Sequence, residues 1–162
     1  MENYAFIDGQ NLYSQIKRFG WKIDYKKLRI YLKEKYKVKV AYIFIGFINE
    51  NCDLYKYLQE SGFILVFKEN YKSKEGKIKG NVDAELVLQV MIDIDKYKKA
   101  IIISGDGDFA CLIKYLRTND RLETLLIPDE FSYSHLLKKA GGNKLNFINR
   151  LENKISRKKE PQ

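Results

Sequence analysis

The chain has 162 residues, 45% of them hydrophobic, which is enough for one domain with a sizeable core. Its net charge of +9 favours polyanionic partners, nucleic acid first among them, with a lysine-rich solubilising surface as the alternative. The sequence lacks the pattern of a signal peptide and has no apolar run long enough to span a membrane. One His and two isolated Cys are too few ligands for a zinc site. A Ser–His–Asp triad is also disfavoured, because His135 would have to be its base.

Apolar runs, helical spacing and turn residues predict the elements of the first half of the chain. In order, these are a strand over residues 4–8, a helix over 11–19, a helix capped by Asp24, a strand over 38–46, a helix over 50–61 and a strand over 63–67. Residues 68–81 are polar, basic and contain glycine, which predicts a loop or an extended hairpin.

The second half continues the alternation. It contains, in order, a helix over residues 82–94, a strand over 100–104, a helix over 109–117, a strand over 122–127, a short helix over 132–139, a short strand over 145–148 and a charged helical tail from 150. Continuous apolar strands that alternate with helices predict an α/β three-layer sandwich with a central, mostly parallel sheet of about five to six strands. Ligands of such sheets bind at the carboxyl ends of the strands, where the strand order reverses.

Carboxylates follow two of these strands. Asp8 ends the first strand, Asp106 and Asp108 follow the strand over 100–104, and Asp83 opens the helix after the basic segment. If the two strands are neighbours, these side chains converge, and such a cluster stays ionised only with cations. Oxygen ligands suit Mg²⁺ or Mn²⁺, which can hold a phosphodiester and activate water.

Each carboxylate also has a simpler interpretation. Asp8 with Gly9 is a turn signal, and Asp83, Asp106 and Asp108 are typical of helix caps. Two further carboxylates at the far end of the helix over 82–94 are predicted to be solvated surface and are left out of the site: Asp93 and Asp95.

Three blocks, in order, resemble the NYN domain, which is similar to PIN-like nucleases. They are FIDGQNL at residues 6–12, KGNVD at 79–83 and ISGDGDF at 103–109. The resemblance implies a PIN-like parallel α/β sandwich over residues 1–149, followed by the charged tail over 150–162. It also implies an Mg²⁺ or Mn²⁺ site and RNA, single-stranded or structured, as substrate.

The resemblance also implies roles for individual residues. Asp8, Asp83, Asp106 and Asp108 correspond to the acidic cluster of the family, which binds metal and is catalytic. Asn11 orients the first carboxylate or the phosphate, and Ser104 supports the loop through its hydroxyl. One position departs from the pattern, since many members carry a further Asp where this chain has Gln89. That amide supplies no charge, which leaves a second metal and a full catalytic rate open.

The basic segment that leads into Asp83 is a candidate RNA-binding rim. Its candidate RNA contacts are Tyr71, for base stacking, and Lys72, Lys74, Lys77 and Lys79, with Lys68 beside them. A flexible solvated loop is the alternative.

The leading hypothesis is a metal-dependent ribonuclease, and two others stay open. One is a non-catalytic RNA-binding or assembly module with a degenerate metal site. Gln89, in place of a carboxylate, is consistent with this alternative. A haloacid-dehalogenase-like phosphatase shares the late Gly-Asp-Gly pattern but needs an early Asp-x-Asp, which Asp8 with Gly9 and Gln10 does not provide. Two distant cysteines indicate a reducing cytosol, and the lack of a long apolar run predicts no membrane association. A homodimer and DNA as a substrate are left open.

Overall fold

A computed structural model describes residues 1–69, 71–72, 78–79 and 82–158 of the chain. The strands are β1 (Asn3–Asp8), β2 (Val38–Phe47), β3 (Ile64–Glu69), β4 (Tyr71–Lys72), β5 (Ile78–Lys79), β6 (Ala100–Ile103), β7 (Leu122–Ile127) and β8 (Leu145–Phe147). The α-helices are α1 (Gly9–Lys17), α2 (Tyr25–Tyr36), α3 (Cys52–Glu60), α4 (Asp83–Ile92), α5 (Ala110–Thr118), α6 (His135–Gly141) and α7 (Glu152–Ile155).

Six strands form one parallel sheet in the order β3-β2-β1-β6-β7-β8. The predicted α/β architecture and the predicted strand number are therefore confirmed within the described part of the chain. The order reverses between β1 and β6, which pair in parallel from Tyr4 with Ala100 to Ile7 with Ile103. This is the switch point at which parallel sheets bind ligands, and it lies where Asp8 and the loop after β6 leave the sheet.

Both faces of the sheet are covered, because its central strands are apolar on both sides. Ile7 and Ile101 lie in the core beneath α1 and α2. Phe6 and Ile102 lie in the opposite core beneath α4 and α5. The central strands are consequently rigid, and the side chains at their ends are held by a packed scaffold.

Local signals set the ends of several helices. Asp24 caps α2 by accepting a hydrogen bond from the Lys27 N–H at 3.1 Å, as the sequence predicts. Helix α1 begins at Gly9, two residues before its predicted start, because the Asp8 side chain caps it. Gly62, with φ of +105°, follows α3 in the left-handed region that favours glycine.

Within the basic segment, the described strands β4 and β5 pair as a short antiparallel hairpin, in which Tyr71 pairs with Lys79 and Lys72 with Ile78. The chain enters it from β3 and leaves it towards the first residue of α4, Asp83. In chain order, the hairpin therefore lies between β3 and the helix that begins with Asp83.

The start of the predicted C-terminal tail packs against the domain. Ile155 is fully buried, and its carbonyl accepts a hydrogen bond from the Asp24 N–H at 2.8 Å. The Arg157 N–H donates to the Lys22 carbonyl at 2.9 Å. The division at residues 149 and 150 stays a prediction, but the described part of the second segment is anchored. Over the same described ranges, no helix is both long and apolar enough to cross a bilayer.

Candidate metal centre

Asp8 is oriented by two hydrogen bonds at the end of β1. Its Oδ1 accepts from the Asn11 N–H at 3.3 Å, and its Oδ2 accepts from the Ser104 hydroxyl at 3.1 Å. The residue is buried, with 5% of its surface exposed. Because each oxygen has a donor from a different element, the direction of the carboxylate is fixed by the fold itself.

Ser104 and Asn11 join β1 and α1 to the loop after β6. The Ser104 hydroxyl oxygen accepts from the Asp106 N–H at 3.1 Å while its proton is directed to Asp8. The Asn11 Oδ1 accepts from the Gly105 N–H at 2.8 Å. Ser104 and Asn11, which the sequence predicts as supporting residues of the site, thus link the Asp8 segment to the backbone that carries Asp106.

Three acidic side chains from separate parts of the chain meet here. One carboxylate oxygen from each of Asp8, Asp83 and Asp106 lies within 4.8 Å of the other two. Asp83 is the first residue of α4, and Asp106 precedes a short 3₁₀ helix over Gly107–Phe109. Burial of Asp8 and the partial burial of the other two distinguish this group from scattered surface carboxylates.

The surroundings of Asp8 raise the pKa of its carboxyl group. Burial raises the pKa of its carboxyl, and the negative charge of Asp106 raises it further. The hydrogen bonds from Asn11 and Ser104 act in the opposite direction and lower it, but the net pKa stays above the ordinary value. A cation among the three carboxylates would remove this repulsion.

The donor set fits a hard divalent cation. It consists of carboxylate oxygens, which Mg²⁺ and Mn²⁺ prefer over the nitrogen and sulfur ligands of softer metals. Oxygen ligands of one octahedral Mg²⁺ lie about 3–4 Å apart, so oxygens within 4.8 Å of one another are near the required spacing. The three residues Asp8, Asp83 and Asp106 could therefore hold such an ion with small side-chain adjustments.

Asp108 lies next to this trio without joining it. Its side chain is exposed, and its backbone N–H donates to Asp106 Oδ1 at 2.9 Å. The carboxylate of Asp108 thus faces solvent beside the cluster, whereas its backbone helps to orient Asp106.

Gln89 points to another part of the molecule. Its Nε2 donates to Asp93 Oδ2 at 3.0 Å, and the Tyr42 hydroxyl donates to the same oxygen at 2.6 Å. The expectation that Asp93 is solvated surface is wrong, because the residue is 1% exposed and Lys96 lies 3.4 Å from its Oδ1. Burial alone would raise the pKa of Asp93, but these donors outweigh it and hold the pKa below its usual value.

The predicted RNA-binding rim is described only in part. Tyr71, Lys72 and Lys79 lie on the backbone of the hairpin, and Lys74 and Lys77 lie outside the described residues. Lys68, at the base of the hairpin, has its Nζ 3.8 Å from Glu85 Oε1, so part of its charge is compensated.

A groove beside α1 was not expected from the sequence. It has a volume of about 770 Å³ and begins at Gly9 and Gln10, the two residues after Asp8. Tyr13 and Lys17, one helical turn apart on α1, also line it. The four-residue spacing of this aromatic and basic pair on a predicted helix was a usable signal.

Comparisons with known proteins identify the family and the fold of the chain. A family model of the NYN domain matches residues 4–143. The low amplitude and bright protein LabA of Synechococcus elongatus is 25% identical over 134 residues, which cover 76% of this chain and 72% of that protein. A crystal structure of a protein of unknown function from Vibrio parahaemolyticus superposes with a TM-score of 0.80 over 96% of each chain at 19% identity, a likeness that concerns the fold alone.

Proposed function

Because the chain belongs to the NYN domain family, we propose that it is a divalent-metal-dependent ribonuclease that hydrolyses RNA phosphodiester bonds. The observation that supports the proposal most is the meeting of Asp8, Asp83 and Asp106 at the switch point of the sheet. The proposed cofactor is Mg²⁺ or Mn²⁺, since the donor set is made of carboxylate oxygens.

In the proposed mechanism, Asp8, Asp83 and Asp106 would hold the cation at the site where the phosphodiester is cleaved. A bound cation would neutralise charge on the phosphate and lower the pKa of a water molecule. Ser104 and Asn11 keep Asp8 and the Asp106 loop in place through the hydrogen bonds at 2.8–3.3 Å. The exposed Asp108 carboxylate, beside Asp106, positions the attacking water, and attack is in line without a covalent enzyme intermediate.

RNA would approach along the basic hairpin. The net charge of +9 favours a polyanion, and the hairpin that carries Tyr71, Lys72 and Lys79 precedes Asp83 in the chain. We propose that these residues, together with Lys74 and Lys77, contact the substrate. Both cysteines are free and exposed, which suits the reducing cytosol that we propose as the compartment. A homodimer stays a prediction.

A direct test compares cleavage of labelled single-stranded RNA by the wild-type protein and by Asp106→Asn, with Mn²⁺ and with EDTA. Asn can still cap the 3₁₀ helix, so the variant should keep the fold while it loses a charged ligand. We expect at least a hundredfold loss of rate in the variant and no cleavage with EDTA, since removal of a metal ligand removes the ion that supports catalysis.

A matched control removes a carboxylate outside the site. Asp95→Asn changes an exposed side chain after the far end of α4 and should leave cleavage unchanged. Equal cleavage by wild type and Asp106→Asn would overturn the assignment of the site. RNA binding without metal-dependent cleavage by the wild type would instead favour a non-catalytic RNA-binding module.

A further inference from the structure

The groove beside α1 carries the features of a site for an unstacked base. It adjoins Gly9 and Gln10, so its near end lies one residue from Asp8 in the chain. Its volume of about 770 Å³ falls within the roughly 300–1,000 Å³ range of small-molecule pockets. Any polymer held there would pass close to the carboxylate trio.

Five aromatic rings line this groove, beside seven aliphatic side chains of the described residues. Tyr13 is 56% exposed on α1, while Tyr25 and Tyr57 close the groove from α2 and α3 and pack edge to face with ring centroids 6.4 Å apart. Exposed and half-buried rings around one depression provide faces on which bases stack, whatever their identity. The rings therefore provide stacking faces for a nucleobase within a largely apolar groove.

The charge of the groove is of one sign. Three cations line it, Lys17, Lys22 and Arg157, and none of the described residues that line it is acidic. Lys17 Nζ lies 5.9 Å from the centre of the Tyr13 ring, and the Arg157 guanidinium lies 5.3 Å from that of Tyr57. None of the three forms an ion pair with a described residue. Cations next to rings can bind phosphates while a base occupies the ring face.

A buried donor in the groove lacks a partner. The indole N–H of Trp21 is inaccessible to solvent and makes no hydrogen bond with any residue that the structure describes. A buried donor without an acceptor is costly, and a small movement of the Trp21 ring towards an acceptor on a bound ligand would relieve that cost. The amides of Gln10 and Asn51 also line the groove and can read the edge of a base.

From these features we infer that the groove lined by Tyr13, Lys17, Trp21, Lys22, Tyr57 and Arg157 binds an unpaired base of single-stranded RNA and its phosphate, next to the scissile phosphate. The inference rests on the proposed function for its substrate. It specifies that substrate further, because bases in a duplex are stacked and cannot enter a pocket of this kind. Single-stranded or locally unpaired RNA is therefore the preferred class.

Trp21 provides a direct readout because it is the single tryptophan of the chain. The full-length Asp106→Asn protein is titrated with single-stranded RNA of about eight nucleotides, a length within the site sizes of single-strand-binding folds. The same titration uses duplex RNA of the same sequence and an abasic ribose-phosphate chain. We expect saturable quenching of Trp21 emission by the single strand, with affinity at least tenfold lower for the duplex and for the abasic chain.

Two sets of variants test the rings and the cations. Tyr13→Ala should weaken binding by about 5- to 100-fold, the range for loss of one stacked base, whereas Tyr115→Ala, at a 47% exposed tyrosine of α5, should not. Lys17→Ala with Lys22→Ala should weaken binding and reduce its salt dependence. The control is Lys33→Ala with Lys35→Ala, which removes two exposed lysines of α2.

The two proposals fail in different ways. If wild-type protein cleaves RNA but Trp21 emission does not respond to the single strand, the groove proposal is wrong and the nuclease proposal stands. Equal quenching by duplex RNA, or equal affinity of Tyr13→Ala and wild type, would also overturn it. If Trp21 responds as expected but no RNA is cleaved, the groove proposal stands and the nuclease proposal fails.

Discussion

Ser104→Ala is the most informative change at the carboxylate site, because one buried hydroxyl holds two parts of it. Ser104 is fully buried, donates to Asp8 Oδ2 at 3.1 Å and accepts from the Asp106 N–H at 3.1 Å. The substitution removes a single oxygen atom and does not require the backbone after β6 to change its conformation. Its effect therefore reports the value of these two hydrogen bonds.

The magnitude follows from what each bond contributes. A hydrogen bond to a charged group is worth about 1.5–3 kcal/mol, and a buried N–H left without an acceptor costs about 1–3 kcal/mol. Because the two losses share one residue and are not additive, we expect the free energy of unfolding to fall by about 2–4 kcal/mol without metal. The pKa of Asp8 should rise further, since the Ser104 hydroxyl lowers it.

Metal binding should weaken as well. Loss of a residue that orients a metal ligand typically lowers affinity by about 10- to 100-fold. At saturating Mn²⁺, that loss reduces the metal-induced gain in unfolding free energy by about 1.4–2.7 kcal/mol. Urea unfolding of wild type and Ser104→Ala, with Mn²⁺ and with EDTA, measures both effects.

A control separates the metal effect from general destabilisation. Ser61→Ala removes a hydrogen bond to the Tyr57 carbonyl, at the end of α3, and should leave the response to Mn²⁺ as in wild type. The reasoning is refuted if Ser104→Ala gains as much stability from Mn²⁺ as the wild type does.

Three further changes have defined outcomes in urea unfolding. Gly9→Ala should lose about 1–3 kcal/mol of unfolding free energy, because the new Cβ would lie 2.3 Å from Ile45 Cγ2; an unchanged midpoint would contradict this. Tyr42→Phe should lose about 1.5–3 kcal/mol at neutral pH. Its deficit should shrink as the pH falls below about 4, since Asp93 has a lowered folded pKa and contributes stability only above that range. Gln89→Asp should destabilise the fold by placing a second carboxylate beside Asp93 and should leave Mn²⁺ affinity unchanged, which a calorimetric titration checks.

The fold was predictable because its strands are unusually clear. The strand over residues 100–103 is buried at every position, as a central parallel strand requires. Its uninterrupted apolar sequence is sufficient to predict it. The start of α1 was less clear, since Asp8 acts both as the last residue of β1 and as the N-terminal cap of the helix. A sequence pattern cannot assign such a residue to one element.

The carboxylate site was predictable in outline through the order of its motifs and the switch-point rule. Its hydrogen bonds were not, because Ser104 and Asn11 act across about ninety residues of chain, a separation that local spacing does not encode. The prediction that Asp93 is exposed to solvent was wrong for a similar reason. Its partner Tyr42 lies on β2, 51 residues away, so a carboxylate among lysines resembled ordinary surface.

The central claim is that Asp8, Asp83 and Asp106 share a divalent cation. The most direct measurement is anomalous X-ray scattering from crystals of the wild-type protein soaked in Mn²⁺, next to crystals of Asp106→Asn treated in the same way. We expect an anomalous peak among the three carboxylates in the wild type and a lost or much weaker peak in the variant. A wild-type map with Mn²⁺ at other sites and none among these oxygens would contradict the account.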